Sequence, residues 1–140
     1  MGMWTELILG AKLKKKTPKY VIDTLRYLVG DLPRKPKKYP ATFKINNPFS
    51  TDYDQMFTYS HWYFAIDKPF AELWIDPVDG CYKINTRSNL KNYDNQIEIF
   101  LKWLKPYIAK GSGARDMYAI VTYEEDSEPT IYYLKNNLKK

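Results

Sequence analysis

Histidine and cysteine, on which most metal and nucleophilic chemistry depends, are nearly missing: 140 residues hold one histidine, His61, and one cysteine, Cys81. Zinc centres draw on sets of His and Cys, and general bases and nucleophiles most often come from the same two residues. Their scarcity argues against zinc and redox chemistry and, more weakly, against catalysis. One cysteine excludes an internal disulfide, and Cys81 reads as a small buried hydrophobe suited to a reducing compartment. Long apolar runs are missing too: all are broken by charge well short of the roughly 20 residues a membrane helix needs. Met1-Gly2-Met3-Trp4 leads into Glu6 without a signal-peptide pattern. The expectation is a cytoplasmic protein without membrane association.

Aromatic and cationic residues are abundant. Thirteen tyrosines, six phenylalanines and four tryptophans accompany 22 Lys and Arg, for a net charge of +6. The charge is uneven. Residues 1–44 carry eleven cations against three acids, or +8, and the remainder carries −2. A positive field confined to one third of the chain suits phosphates, anionic lipid or an acidic protein.

Periodicity organises the chain. Trp4–Leu13 alternates as a first strand with Gly10 as a bulge. Thr17-Pro18 reads as an N-cap followed by proline at the first helical position. Val21, Ile22, Leu25, Leu28 and Val29 then form an apolar face before Gly30, which predicts a helix over about residues 18–29. Asp31–Pro40, rich in proline and lysine, is an exposed loop. Ala41–Ile45, Gln55–Tyr59, Trp62–Ile66, Ala71–Ile75 and Cys81–Thr86 are short β-branched and aromatic runs, the pattern of an antiparallel meander. Asp76-Pro77-Val78-Asp79-Gly80 is a hairpin turn. From Asp94 as N-cap, Ile97, Phe100, Leu101, Leu104 and Ile108 recur at helical spacing, and Gly111-Ser112-Gly113 stops the helix. Met117–Tyr123 and Thr130–Leu134 make a last hairpin around the acidic loop 124–129, and residues 135–140 are a frayed basic tail. The expected fold is one α+β domain over residues 1–140, with an antiparallel sheet of six to eight short strands and two helices packed on one face.

Five constellations bear on function. Lys12, Lys14, Lys15, Lys16 and Lys19 with Arg34, Lys35, Lys37 and Lys38 form either a polyanion-binding surface acting by counterion release or a solvated lysine loop. Phe57, Tyr59, Trp62, Tyr63, Phe64, Phe70 and Trp74 are too dense for all to be core, because alternation sends neighbours to opposite sheet faces; the surplus rings stack a ligand, or lie on a second sheet face covered by loops or by a partner chain. The polar run Lys83–Tyr93 leads from a strand into the second helix, where Arg87, Ser88 and Lys91 could meet an anion or merely cap the helix. His61 and Cys81 lack an assignable third member for a catalytic dyad, and Asp52/Asp54 and Asp76/Asp79 fit turns better than a calcium loop. Gly111–Arg115 is a helix stop, or a lip over a pocket with Arg115 as its anion contact.

Ser88-Asn89-Leu90-Lys91-Asn92-Tyr93, Gln96-Ile97-Glu98, Phe100–Ile108 and the segment from Tyr123-Glu124-Glu125 to Pro129–Tyr133, together with Trp4 and Thr17-Pro18, resemble small uncharacterised proteins of Gram-positive bacteria and their phages. The shared motifs are those of packing and turns and carry no established activity. They imply a mobile-element setting, and hence a host cytoplasm.

The resulting expectation is a non-catalytic binding protein, without cofactor or metal, whose aromatic and cationic side chains hold an anionic, nucleotide-like ligand or a partner protein. In a phage setting it could act by sequestration against a host defence system. Trp62, Trp74, Arg87, Lys91, Arg115 and Tyr118 are the expected ligand contacts. A nucleic-acid-binding protein using the basic N-terminal third is the alternative, a small enzyme of unknown reaction the third reading, and a homodimer is compatible with each.

Overall fold

The computed structural model describes residues 3–60, 64, 68–111 and 115–135. The elements are β1 (Thr5–Lys12), α1 (Lys19–Leu28), β2 (Phe70–Ile75), β3 (Tyr82–Leu90), α2 (Gln96–Leu104), β4 (Met117–Tyr123) and β5 (Thr130–Tyr133). All strand pairs are antiparallel, in the order β2-β3-β1-β4-β5, so the first strand ends up at the centre of the sheet.

Alternation decides what that sheet buries. Leu7 and Leu9 of β1 lie opposite Ser88 and Thr86 of β3 on one side and Val121 and Ala119 of β4 on the other; all six are buried. Onto this face come Val21, Ile22, Leu25 and Leu28 of α1 and Ile97, Phe100, Leu101 and Leu104 of α2, which join the strand residues in a single core. Each such side chain, fully buried, contributes roughly 1.5–3 kcal/mol. The opposite face carries Glu6, Ile8, Gly10 and Lys12 of β1 and Lys83, Asn85 and Arg87 of β3. Among the described residues no helix is long and apolar enough to cross a membrane.

The α+β class and the two helices are as expected, but the sheet has five strands among the described residues, short of the six to eight anticipated. Ala41–Ile45 forms no strand, although its alternation is real: Phe43 is buried while Thr42 and Lys44 point outward. Phe43 stacks on Tyr53 at 4.5 Å and meets the Trp103 ring edge-on at 5.2 Å, so aromatic contacts take the place of a ladder. The expected strand Gln55–Tyr59 does not form either: Gln55 closes a 3-10 turn over Tyr53–Gln55, and Met56 and Phe57 fall into the core as turn residues. The expected strand Trp62–Ile66 lies outside the described residues except for Phe64.

Local chemistry corrects three more expectations. Gly10 pairs in unbroken register with Asn85 and is no bulge; the sheet's irregularity lies in β4, between Met117 and Ala119. Thr17 caps nothing in α1, because its hydroxyl donates to the Lys14 carbonyl at 2.6 Å and closes the preceding turn, leaving Pro18 as the flanking residue. Asp94 is not the N-cap of α2 either. That position belongs to Asn95 at φ 59°, and the Asn92 side-chain oxygen accepts from the Ile97 N–H at 2.9 Å. The second helix is also shorter than its apolar pattern: Pro106 lacks the N–H that would continue it, so the chain tightens into a 3-10 turn at Lys105–Tyr107.

Candidate functional site

A hollow with an apolar wall lies along the flank of α2, and three sequence features build it. Ile99 and Trp103 stand four residues apart on α2, beside the core stripe, and so share a face that the sheet does not cover. Residues 42–46 run alongside, held by Phe43 in the core, so that Thr42, Lys44 and Asn46 all project to the same side. The two segments are pinned together by Asp94, whose Oδ2 accepts from the Asn46 and Asn47 N–H groups, both at 2.9 Å. These backbone donors, Asn47 first, hold the Asp94 carboxyl below the usual carboxylate range.

Between them is a groove of about 540 Å³ lined by Thr42, Lys44, Asn46, Asp94, Ile99, Lys102 and Trp103. That volume is in the range of small-molecule sites. Its wall is the half-buried indole of Trp103, held in place by the Phe43 and Phe100 rings and by Tyr107. Its rim carries two exposed lysines, Lys44 and Lys102, with no carboxylate partner among the described residues. Asp94 spends its charge on backbone donors. The groove therefore offers an aromatic and aliphatic wall, two mobile cations, and hydroxyl and amide groups for orientation.

The six expected contact residues are not brought into one pocket. Trp74 lies on the face of β2 away from the core, 42% exposed and opposite Lys83, whose ammonium pairs with Asp76. Arg87 shares that face, but its guanidinium donates to Glu6 Oε2 at 2.8 Å and to the Phe64 carbonyl at 3.1 Å. Lys91 lies elsewhere, its ammonium 5.6 Å from the centre of the Trp4 ring, in a smaller hollow of about 330 Å³ with Phe49, Thr51, Gln55 and Tyr59. Arg115 stacks 3.7 Å over the Tyr133 ring at the sheet margin. Tyr118 is buried edge-on against Tyr132, and burial, then the neighbouring Tyr132, pushes its phenol upward. Trp62 and His61 lie outside the described residues.

Lys83–Leu90, expected as a polar junction, belongs to strand β3. Its buried polar groups are satisfied only in part: the Ser88 hydroxyl donates to the Met56 carbonyl at 2.8 Å, whereas the Thr86 hydroxyl and the Asn89 side-chain amide meet no partner among the described residues. Cys81 is buried.

The basic third divides. Lys12 pairs with Asp79 at 2.9 Å and Lys19 with Asp23 at 2.7 Å. Lys14, Lys15, Lys16, Arg34, Lys35, Lys37 and Lys38 meet no carboxylate among the described residues. Lys19, Lys37 and Lys38 line one open hollow with Tyr20, and the Lys38 ammonium stands 5.4 Å from the Tyr20 ring centre. The Tyr20 hydroxyl lies 3.4 Å from that of Tyr107, whose carbonyl accepts from the Lys14 N–H, so this cationic surface is continuous with the turn before α1.

Sequence reasoning missed Trp103. The signal was present: Ile99 and Trp103 are an i, i+4 apolar pair out of phase with the Ile97, Phe100, Leu101, Leu104 stripe, and a helix with one core face has no use for a second. Comparison with protein-family models, with curated proteins and with solved structures returned no match to this chain.

Proposed function

We propose that the protein is a non-catalytic binding protein that holds a small anionic molecule with a planar aromatic part, such as a nucleotide, in the groove between residues 42–46 and α2. The observation that carries this reading is the placement of the Trp103 indole as the wall of a 540 Å³ groove with Lys44 and Lys102 at its rim. A planar ring stacks on the indole while an acidic group meets one or both ammonium ions; the protein supplies no assigned nucleophile or base beside it. In the mobile-element setting that the sequence resemblance suggests, such a protein acts in the host cytoplasm by withholding a signal nucleotide from a defence system.

Native mass spectrometry of the protein isolated from its producing cells, repeated after denaturation, looks for the released ligand directly. Calorimetric titration with AMP supplies the defined probe. The reading expects saturable binding that falls about tenfold or more in Trp103→Leu and in the Lys44→Ala/Lys102→Ala pair, as loss of a stacking wall or a charged contact would give. A protein that carries no small molecule and an AMP titration indistinguishable between wild type and variants would abandon it.

A second reading rests on cations that meet no carboxylate among the described residues: Lys14, Lys15 and Lys16 in the turn before α1, and Lys37 and Lys38 beside Tyr20. In this reading the surface binds nucleic acid through its phosphates, and affinity for a single-stranded oligonucleotide falls steeply with salt and changes little with sequence. Lys37→Ala/Lys38→Ala weakens that binding and leaves AMP binding intact.

A further inference from the structure

A second hollow, of opposite electrical character, lies where the end of β3, the first turn of α2 and the last hairpin meet. It encloses about 260 Å³, and its walls include Tyr93, Tyr123 and Tyr132 together with the carboxylates of Glu98 and Asp126. Among the described residues no Lys or Arg lines it, in a protein whose net charge is +6. We infer that this hollow is a binding site for a methylated ammonium group, presented by a small quaternary amine or by a methylated lysine side chain of another protein. The assignment goes beyond the anion-binding groove and does not depend on it.

Three features of the geometry point to that ligand. Tyrosine rings attract a poorly hydrated cation through their negative faces, and three of them around one small space form the kind of aromatic cage that receives ammonium groups. Glu98 has one oxygen occupied, because Oε1 accepts from the Asn92 amide at 2.8 Å; its other oxygen has no partner among the described residues. The Asp126 carboxylate has none either. Glu98, with one oxygen already taken, suits a cation without a donor fork, whereas a guanidinium seeks both oxygens of one carboxylate. A hard divalent ion is a poorer fit, since calcium wants six or more oxygen ligands and magnesium a near-ideal octahedron.

The negative field is felt by the walls themselves. Burial first, and then Glu125, Glu124, Tyr93 and Asp126, push the Tyr123 phenol above its ordinary range; burial and Glu98 do the same for Tyr132. The hollow is also held firmly. Asn92 bridges α2 through Glu98 and the Ile97 N–H, the Tyr93 hydroxyl accepts from the Met3 N–H at 2.8 Å, and Glu124 Oε1 accepts from the Trp4 N–H at 2.6 Å.

The test is a titration of ring-labelled tyrosine resonances with choline chloride, and in parallel with Nα-acetyl-trimethyllysine amide, each against sodium chloride at equal ionic strength. The site is expected to give saturable shifts confined to Tyr93, Tyr123 and Tyr132, with a dissociation constant on the order of millimolar or tighter. Glu98→Gln, which keeps an acceptor for Asn92, and Asp126→Asn, at an exposed turn position, should each weaken binding about fivefold or more. Tighter binding of the lysine derivative identifies a protein side chain as the source, and tighter binding of choline a free amine. Shifts that match sodium chloride and never saturate, or that persist unchanged in both variants, overturn the assignment. AMP should leave these three tyrosines unmoved whether or not it binds beside Trp103.

Discussion

At the scale of single residues, the aromatic side chains divide into those that make the core and those that a core has placed at a surface. Phe100 is fully buried among Phe43, Phe57 and Trp103, whereas Trp103 has one side on that cluster and the other on the groove. Phe100→Ala should therefore cost about 3–5 kcal/mol in urea denaturation. Trp103→Leu keeps an apolar group against the cluster and should cost about 1–2 kcal/mol. Equal losses would make Trp103 an ordinary core residue and remove the wall of the proposed site. Tyr53, stacked on Phe43, is pushed up to about 12 by burial, then by Asp94 and Glu98. Its stabilisation is whole below the ordinary 10.0 and is lost as pH rises through about 12, so ultraviolet titration should show this phenol ionising last, alongside Tyr39, as the fold yields. None of these roles was legible from composition. Composition treats Trp74 and Trp103 alike; the i, i+4 pairing of Trp103 with Ile99, out of phase with the core stripe, is the one mark the sequence gives it, and packing then makes it a wall.

At the scale of elements, the sequence was most readable where local chemistry and the hydrophobic stripe agree. The end of α1 is the clearest case. Gly30 at φ 94° donates its N–H to the Tyr27 carbonyl, and the Asp31 N–H reaches the Arg26 carbonyl at 2.7 Å, which together satisfy the last turn. A Cβ at that φ is strained although nothing crowds it, so Gly30→Ala should lower stability by about 1–2 kcal/mol, seen as a reduced urea midpoint with an unchanged slope. An unaffected midpoint would show that the turn relaxes. The Asp76–Gly80 turn was equally legible, with Gly80 at φ 72° and the Asp76 carboxylate accepting from the Val78 N–H at 2.9 Å. Prediction failed where a local pattern had more than one use. The alternation over Ala41–Ile45 marked which side chains turn inward but could not show that no strand lies beside them. Asp94 looked like a cap, yet backbone donors from Asn46 and Asn47 claimed it from 48 and 47 residues away.

At the scale of the whole molecule, three carboxylates, two of which tie segments distant in sequence, should set its behaviour in acid. Asp79 is held at about 2, below its ordinary 3.8, by the Cys81 N–H first and then by Lys12; Asp76 is lowered by Lys83 and Asp94 by the Asn47 N–H. For a group lowered in the folded state, the stabilisation is complete above its unfolded value and disappears as pH falls through its folded one. Thermal unfolding should therefore occur at progressively lower temperature as pH falls from about 4 towards 2, and Asp79→Asn should flatten that descent. An identical acid profile in the variant would mean that the link from β1 to the β2–β3 turn contributes nothing. The sequence by itself determined the α+β class, both helices, the β1, β2, β4 and β5 segments and the uneven charge, because periodicity, turn residues and composition act over a few neighbouring positions. Tertiary structure alone decided that β1 would lie at the centre of the sheet, that Arg87 would be committed to Glu6, and that Ile99 and Trp103 would face a groove closed by Lys44. Each of those outcomes depends on which residues, tens of positions apart, come to share one face.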